Sequence, residues 1–302
     1  MCKFYSAIVM RNGDILHDEH LMSHEDIIRL YDINDSQINC DKFVRVEYTT
    51  DEIKDLPDIS KYKLNVDEES IPDWFEKHRE YTVDRLRSFV VKRIITEDHK
   101  ILTGGLYVVN NCKIDKLISA QIVYLQAQVN EMLGNSHVNE MRGNSQVNVM
   151  RENSQVSVMS GSSHVNEMRE NSQVKVMMES SQVSVMRGNS QVSVMLENSQ
   201  VKVMWESSHV NVMRGNSHVN EMCGNSQVNK MSGNSQVSEM SGNSQVSDMS
   251  GNSQVNEMKG SSQVNEMWEN SQVNEMKGIS HVNVMRGNSH VNRNKPNNKL
   301  PK

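Results

Sequence analysis

The residues that could do chemistry in this sequence are few and lie near its start. His17-Asp18-Glu19-His20 and His24-Glu25-Asp26 crowd imidazoles and carboxylates together, the donor types of a zinc-like site. A metal centre also needs its donors at a set spacing, and no HExxH or comparable motif is present. Ser23 and Asp26 have a simpler reading, as the first and last residues of a capping box that opens a short helix. Thr103-Gly104-Gly105 is no phosphate loop, because the Lys-Ser/Thr ending and the following helix are missing. Cys2, Cys40, Cys112 and Cys223 form no CxxC pair, so neither a zinc site nor a disulfide framework is indicated. The sequence therefore assigns no catalytic residue, no metal and no cofactor.

The elements around these residues read as a small α+β domain over 1–105. Residues 4–10 (FYSAIVM) predict a strand, Arg11-Asn12-Gly13-Asp14 a tight turn and Ile15-Leu16 its return. A short helix follows Ser23 through Ile27, Ile28, Leu30 and Tyr31. Phe43–Tyr48 alternates as a half-buried strand. Pro72 then opens one long helix to about Ile95, with Trp74, Phe75, Tyr81, Leu86, Phe89, Val90 and Ile94 on its apolar side.

Charge narrows the function classes. Residues 1–128 hold 17 Lys+Arg against 23 Asp+Glu, whereas 129–302 hold 15 against 15, so the net −6 sits on the N-terminal part. Nothing resembles the basic footprint of a nucleic-acid binder. No window reaches the roughly 18 apolar residues of a membrane span, and the N-terminus lacks a signal-peptide pattern. The expectation is a cytoplasmic protein of the producing cell, or a virion component, with no nucleic-acid or membrane partner.

From residue 129 the sequence becomes a nonapeptide repeat. Valine recurs every nine residues from Val129 to Val291, nineteen times without exception. Methionine follows three residues later from Met132 to Met285, and this column takes 18 of the 22 methionines. Serine precedes the valine by two from Ser136 to Ser289. Nine residues do not close on whole turns of 3.6, and Asn, Ser, Val and Gly are poor helix formers. Ser and Val two apart share one face of a strand, with Gln or His pointing out between them. Gly or Glu followed by Asn supplies a corner. The fold class expected is an α+β N-terminal cap domain fused to an all-β solenoid, with about two nonapeptides per coil. At about 4.8 Å per coil the nineteen units would rise on the order of 45 Å. A calcium roll is excluded because no Asp column exists, and a threonine-grid ice binder because the repeats contain no Thr. The scattered His137, His164, His209, His218, His281 and His290 read as solvated substitutes for Gln.

One block breaks the pattern. Two residues after the valine most units carry a charge, but Val149, Val158, Val176, Val185, Val194, Val203 and Val212 replace it in the middle of the repeat. Met178, Leu196 and Trp205 sit two residues beyond that column. A run of exposed apolar residues marks a contact site, so these ten are the candidate partner-binding residues. The competing account is neutral drift in copied units.

Organisation follows from the same columns. The [IV]-x-x-[LM] beat is already present at Ile114–Leu117 and Ile122–Leu125, so 106–128 reads as degenerate first rungs and a join without a linker. The regular solenoid covers 129–293. The tail, 294–302, replaces the core Met with Asn294 and adds Lys and Pro, which reads as a stop to further stacking. Lys3–Asp14 (K-F-Y-S-A-I-V-x-x-N-G-D), Ser23–Asp26, Pro72–Phe75, Lys100–Gly105 and the N-S-x-V-x-x-M repeats together resemble a group of uncharacterised proteins from gut bacteria and their phages. That resemblance implies a phage or prophage origin and brings no catalytic residues. Three function classes follow: a non-enzymatic structural or interaction protein binding a protein partner or its own copies through the solenoid flank; a small enzyme or metal- or nucleotide-binding module with the solenoid as spacer; and a phage inhibitor of a host protein.

Overall fold

The computed structural model describes residues 4–34 and 42–295. The chain divides into two compact units, Met1–Glu97 with Gly104–Cys112 and Ala120–Tyr124, and Asp98–Thr103 with Lys113–Ser119 and Leu125–Lys302.

The first unit is a four-stranded antiparallel sheet with helices. Its strands are β1 (Ser6–Met10), β2 (Ile15–Leu16), β3 (Phe43–Thr49) and β4 (Lys63–Val66), in the order β2-β1-β3-β4. Helix α1 (His24–Leu30) is capped by Ser23, whose Oγ accepts the Asp26 N–H. The single long helix expected after Pro72 is instead two, α2 (Asp73–Glu76) and α3 (Arg79–Val91). The break falls where the Phe75 carbonyl accepts from both Lys77 and His78. Nor does α3 reach Ile95: Ile94–Ile95 forms strand β5, paired in parallel with Val108–Val109. Leu86 and Val90 enter a core with Phe4, Val44, Val46, Phe75 and Leu106, while Tyr81, expected on the apolar side, is 57% exposed.

The second unit is a β-solenoid. After β6 (His99–Thr103), β7 (Leu106–Ile118) and β8 (Gln121–Leu133) come eighteen five-residue strands, from His137–Met141 to His290–Asn294. Each pairs in parallel with the strand 18 residues away: Val129 with Val147 and Val147 with Val165 in one sheet, Val138 with Val156 and Val156 with Val174 in the other. The nonapeptide is thus half a coil. Its two successive strands belong to different sheets, called here the first (with β8) and the second (with His137–Met141).

Burial follows the columns. From Val138 to Val273 every column valine, and from Met132 to Met276 every column methionine, is fully buried, and from Ser136 to Ser280 the serines are at most 2% exposed. Between Val and Met lie two residues rather than one, and both point out. Strict alternation cannot do this; the chain bends at the first of them. Asn148, for example, is skipped in the pairing that joins Val147 and Val149 to Val165 and Glu167. The bend is stitched by asparagine side chains, Asn166 Nδ2 donating to Asn148 Oδ1 at 2.8 Å and Asn148 to Asn130 at 2.9 Å. A second ladder at the corner runs unbroken through Asn198, Asn216, Asn234, Asn252, Asn270 and Asn288 at 3.2–3.4 Å. Such ladders satisfy each amide with its copy one coil away.

The corner residue is left-handed in every unit, as expected where it is Gly. Repeat glycines there have φ of 61–74°, and a Cβ on Gly161 would lie 2.9 Å from Gly143 N. Six units nevertheless place glutamate at the corner: Glu152, Glu170, Glu179, Glu197, Glu206 and Glu269, at φ of 55–59°. Each offsets the strain in the same way, its carboxylate accepting the corner N–H one coil back at 2.5–2.8 Å. A left-handed non-glycine costs about 1–2 kcal/mol, and a hydrogen bond to a charged group contributes about 1.5–3 kcal/mol. Replacing Glu206 by Ala keeps the strain and discards the bond to Gly188 N–H, so it should cost about 1–2 kcal/mol, whereas Gly at 206 should cost less than half of that. Denaturant melts of the two variants beside the parent test this: Ala as stable as the parent would refute the clasp, and Ala as stable as Gly would refute the strain.

Candidate partner-binding surface

The ionisable cluster near the start is taken up by structural partners. His17 lies against Phe89, ring centres 4.0 Å apart, and its Nδ1 is 3.2 Å from the Tyr5 hydroxyl. His20 Nδ1 accepts the Gly105 N–H at 2.9 Å, and Glu19 pairs with Arg93 at 2.6 Å. His24, buried, contacts the Val46 carbonyl at 3.0 Å and Asp67 at 3.5 Å. The three histidines therefore point to three places, and among the described residues no group of three or more His, Cys, Asp or Glu is arranged to hold a metal. Burial pushes the Tyr5 phenol up to about 12, and burial with nearby Arg85 lowers the His17 imidazole. A buried, protonated phenol beside a neutral imidazole is a packing pair. Tyr5 is itself left-handed, at φ 61°. Sequence inspection missed Tyr5 and Arg93 because neither lies in a motif; the fold alone joins them to His17, Glu19 and Gly105.

A cavity of about 340 Å³ in this unit is lined by Met10, Leu16, Tyr31, Ile33, Lys42 and Phe43 among others. Among the described residues its lining holds no histidine, cysteine or serine. Cys112 is buried, and Cys2 and Cys40 lie outside the described residues.

On the solenoid, the two outward columns that flank the buried methionine carry the variable chemistry. At the C-terminal end of the first sheet they form an alternating ionic chain: Glu239–Lys259 at 3.1 Å, Lys259–Glu257 at 3.1 Å, Lys277 with Glu257, Lys277–Glu275 at 3.2 Å and Glu275–Lys295 at 2.8 Å. Pairs this exposed contribute at most about 1 kcal/mol each, so the chain leaves that edge charged but internally matched.

The valine block lies in the same columns, but it is not one stripe. Val158, Val176, Val194 and Val212 stack in the second sheet, whereas Val149, Val185 and Val203 belong to the first, where Glu167 interrupts them. Met178 and Leu196 follow second-sheet strands and Trp205 a first-sheet strand. The reason is the half-coil repeat, which sends consecutive units to alternate sheets. The ten candidates thus separate into a contiguous six on one sheet and a broken four on the other. All six are half-buried, while Trp205 is 45% exposed with Arg187 over its ring at 5.8 Å.

The histidine column is spread over both sheets, and no two histidines stack on adjacent coils. His137, His164 and His218 each contact a serine hydroxyl one coil on, Ser157, Ser184 and Ser238, at 3.0–3.1 Å. Burial lowers the pKa of His137, His164, His209 and His218. With the folded pKa below the unfolded one, the unfolded chain binds more protons on acidification. Stability is therefore full above about pH 6.5 and falls as pH drops through that value toward the folded pKa. Melting temperatures should fall between pH 7.5 and 5.5, and replacing the four histidines by Gln, their counterpart in other units, should remove most of that fall. An unchanged pH slope would refute it.

No helix of the described residues is long and apolar enough to cross a membrane. No family model, curated protein or solved structure matches the chain.

Proposed function

We propose that this is a non-enzymatic structural or interaction protein, of phage or prophage origin, whose solenoid presents the second-sheet apolar patch to a protein partner, with the N-terminal unit as a further docking module. One observation carries the reading: Val158, Val176, Val194 and Val212 stand on successive coils of the second sheet with Met178 and Leu196 beside them, between the Glu140–Arg142 ion pair on one side and Lys230, Asp248 and Glu266 on the other. Apolar side chains grouped on successive coils between charged and polar ones mark a surface that is covered in use.

The test is cross-linking mass spectrometry of the intact chain in extracts of its producer and in purified virions, using Lys175 and Lys230 beside the patch as anchors. The Val176→Glu/Val194→Glu variant should lose the cross-links that the parent makes from these lysines while keeping its circular dichroism. An identical cross-link set in parent and variant would overturn the reading.

A further inference from the structure

The patch has a symmetry that the repeat does not require. Going up the second sheet, the column two residues after the valine reads Glu140, Val158, Val176, Val194, Val212, Lys230, and the column two residues further reads Arg142, Ser160, Met178, Leu196, Arg214, Ser232. Consider a two-fold axis lying in this face, across the solenoid, midway between the coils of Val176 and Val194. It lays a second, antiparallel copy over the first so that Val176 meets Val194 of the second copy, Val158 meets Val212, and Met178 meets Leu196. At the margin Glu140 meets Lys230, Arg142 meets Ser232, and Ser160 meets Arg214. Within these two columns every apolar group faces an apolar group and no like charges meet; in the corner column beside them Glu179 comes opposite Glu197 of the second copy, each carboxylate turned to an N–H of its own chain. Lys230 and Arg214 make no ion pair within the chain among the described residues, and Glu140 has one, to Arg142 at 2.5 Å.

The first sheet shows that this is not automatic. The matching axis there, between Val185 and Val203, sets Glu167, already paired with Arg169 and Arg187 of its own chain, against Glu221 of the second copy, a like-charge contact inside the patch. Self-complementarity about a two-fold is what an isologous dimer needs.

We infer that the second-sheet patch is the contact face of an antiparallel homodimer; this deepens the proposed function, on which it rests, by naming a second copy of the chain as the partner. Six coils at about 4.8 Å and about four residues of width at 3.3 Å give roughly 400 Å² per copy. That is about half of the 800 Å² per partner typical of stable complexes, so the dimer is weak and concentration-dependent.

Sedimentation equilibrium of the full chain from about 5 to 500 µM tests it. The weight-average mass should rise from monomer toward dimer across that range. Val176→Glu/Val194→Glu should stay monomeric. Glu140→Lys and Lys230→Glu should each weaken association at least about threefold, and the two together should restore it, because the swapped pair meets again across the axis. A monomeric parent at all concentrations, or a double swap no better than the singles, would overturn the dimer. A monomeric parent whose cross-links to another protein vanish in the valine variant leaves the proposed function standing and removes only the second copy as partner; cross-links unaffected by the variant remove both.

Discussion

Replacing Met195 by Asp should cut the solenoid in two. Met195 is fully buried, stacked between Met177 and Met213 in the same column one coil away on either side. The column offers a carboxylate no cation, so burying it would cost several kcal/mol. The coil cannot turn the side chain outward without moving Val194 or Leu196 inward, since register fixes which residues face the core. In a stack whose coils touch only their neighbours, the loss of one coil also removes an interface from the coils above and below. The expected result is destabilisation of at least about 4 kcal/mol and new protease cuts confined to a few coils around residue 195. Met195→Leu, which preserves volume and polarity, should cost less than about 1.5 kcal/mol. Limited proteolysis with intact-mass readout distinguishes the two, and an Asp variant as resistant as the parent would refute the buried column.

The second large effect concerns deletions. Removing residues 192–200 takes out one whole unit, so Val201 takes the place of Val192 and every Val, Met and Ser below and above remains in column. All later strands change sheets, yet the core they meet is the same. The fold should survive with little change in circular dichroism and a melting temperature within a few degrees of the parent. Removing 192–199, one residue fewer, sets Gln200 in the valine column and turns Val201 outward. A slip of one residue exchanges inside for outside, so every coil from there to the C-terminus would bury Gln and expose Val. The C-terminal part should then be digested by protease to near residue 190 while the N-terminal coils persist. Equal resistance of the eight- and nine-residue deletions would show that the unit is not the half-coil.

Much of this was legible in the residues themselves. Val, Met and Ser at invariant spacing state their burial directly, since only a packed core holds such columns in step. The left-handed corner was legible where Gly stands before Asn; that Glu adopts the same conformation was not. What periodicity hides is anything set by coil-to-coil stacking. The bend between Val147 and Val149 violates strand alternation and appears in the sequence only as an extra residue between Val and Met. Glu206 looks like a misplaced glycine substitute until Gly188, 18 residues earlier, is seen to give it an N–H. The valine block reads as a single stripe along the chain because consecutive units are adjacent in sequence and on different sheets in space. In the N-terminal unit, proximity misled in the other direction. His17, His20 and His24 are neighbours in the chain, yet Phe89, Gly105 and Val46 claim them separately. The break after Phe75 likewise has no breaker residue to announce it; Lys77 and His78 are ordinary helix residues. The stop expected of the tail rests partly on Pro296 and Pro301, which lie outside the described residues; within them, Asn294 and Lys295 end the last strand exposed.

The half-coil geometry also bears on how the chain reaches its native state. All-β proteins generally fold slowly because their strand pairings close long loops before any contact rewards the closure. Here each pairing between coils closes 18 residues in a chain of 302, a relative separation of about 0.06, at or below that of helical bundles. Each coil needs only the one before it as a template, so the search never spans the molecule. This solenoid is a β-structure with the loop-closure entropy of a helical protein, and its elongation should proceed coil by coil at a rate that does not depend on how many units the chain contains.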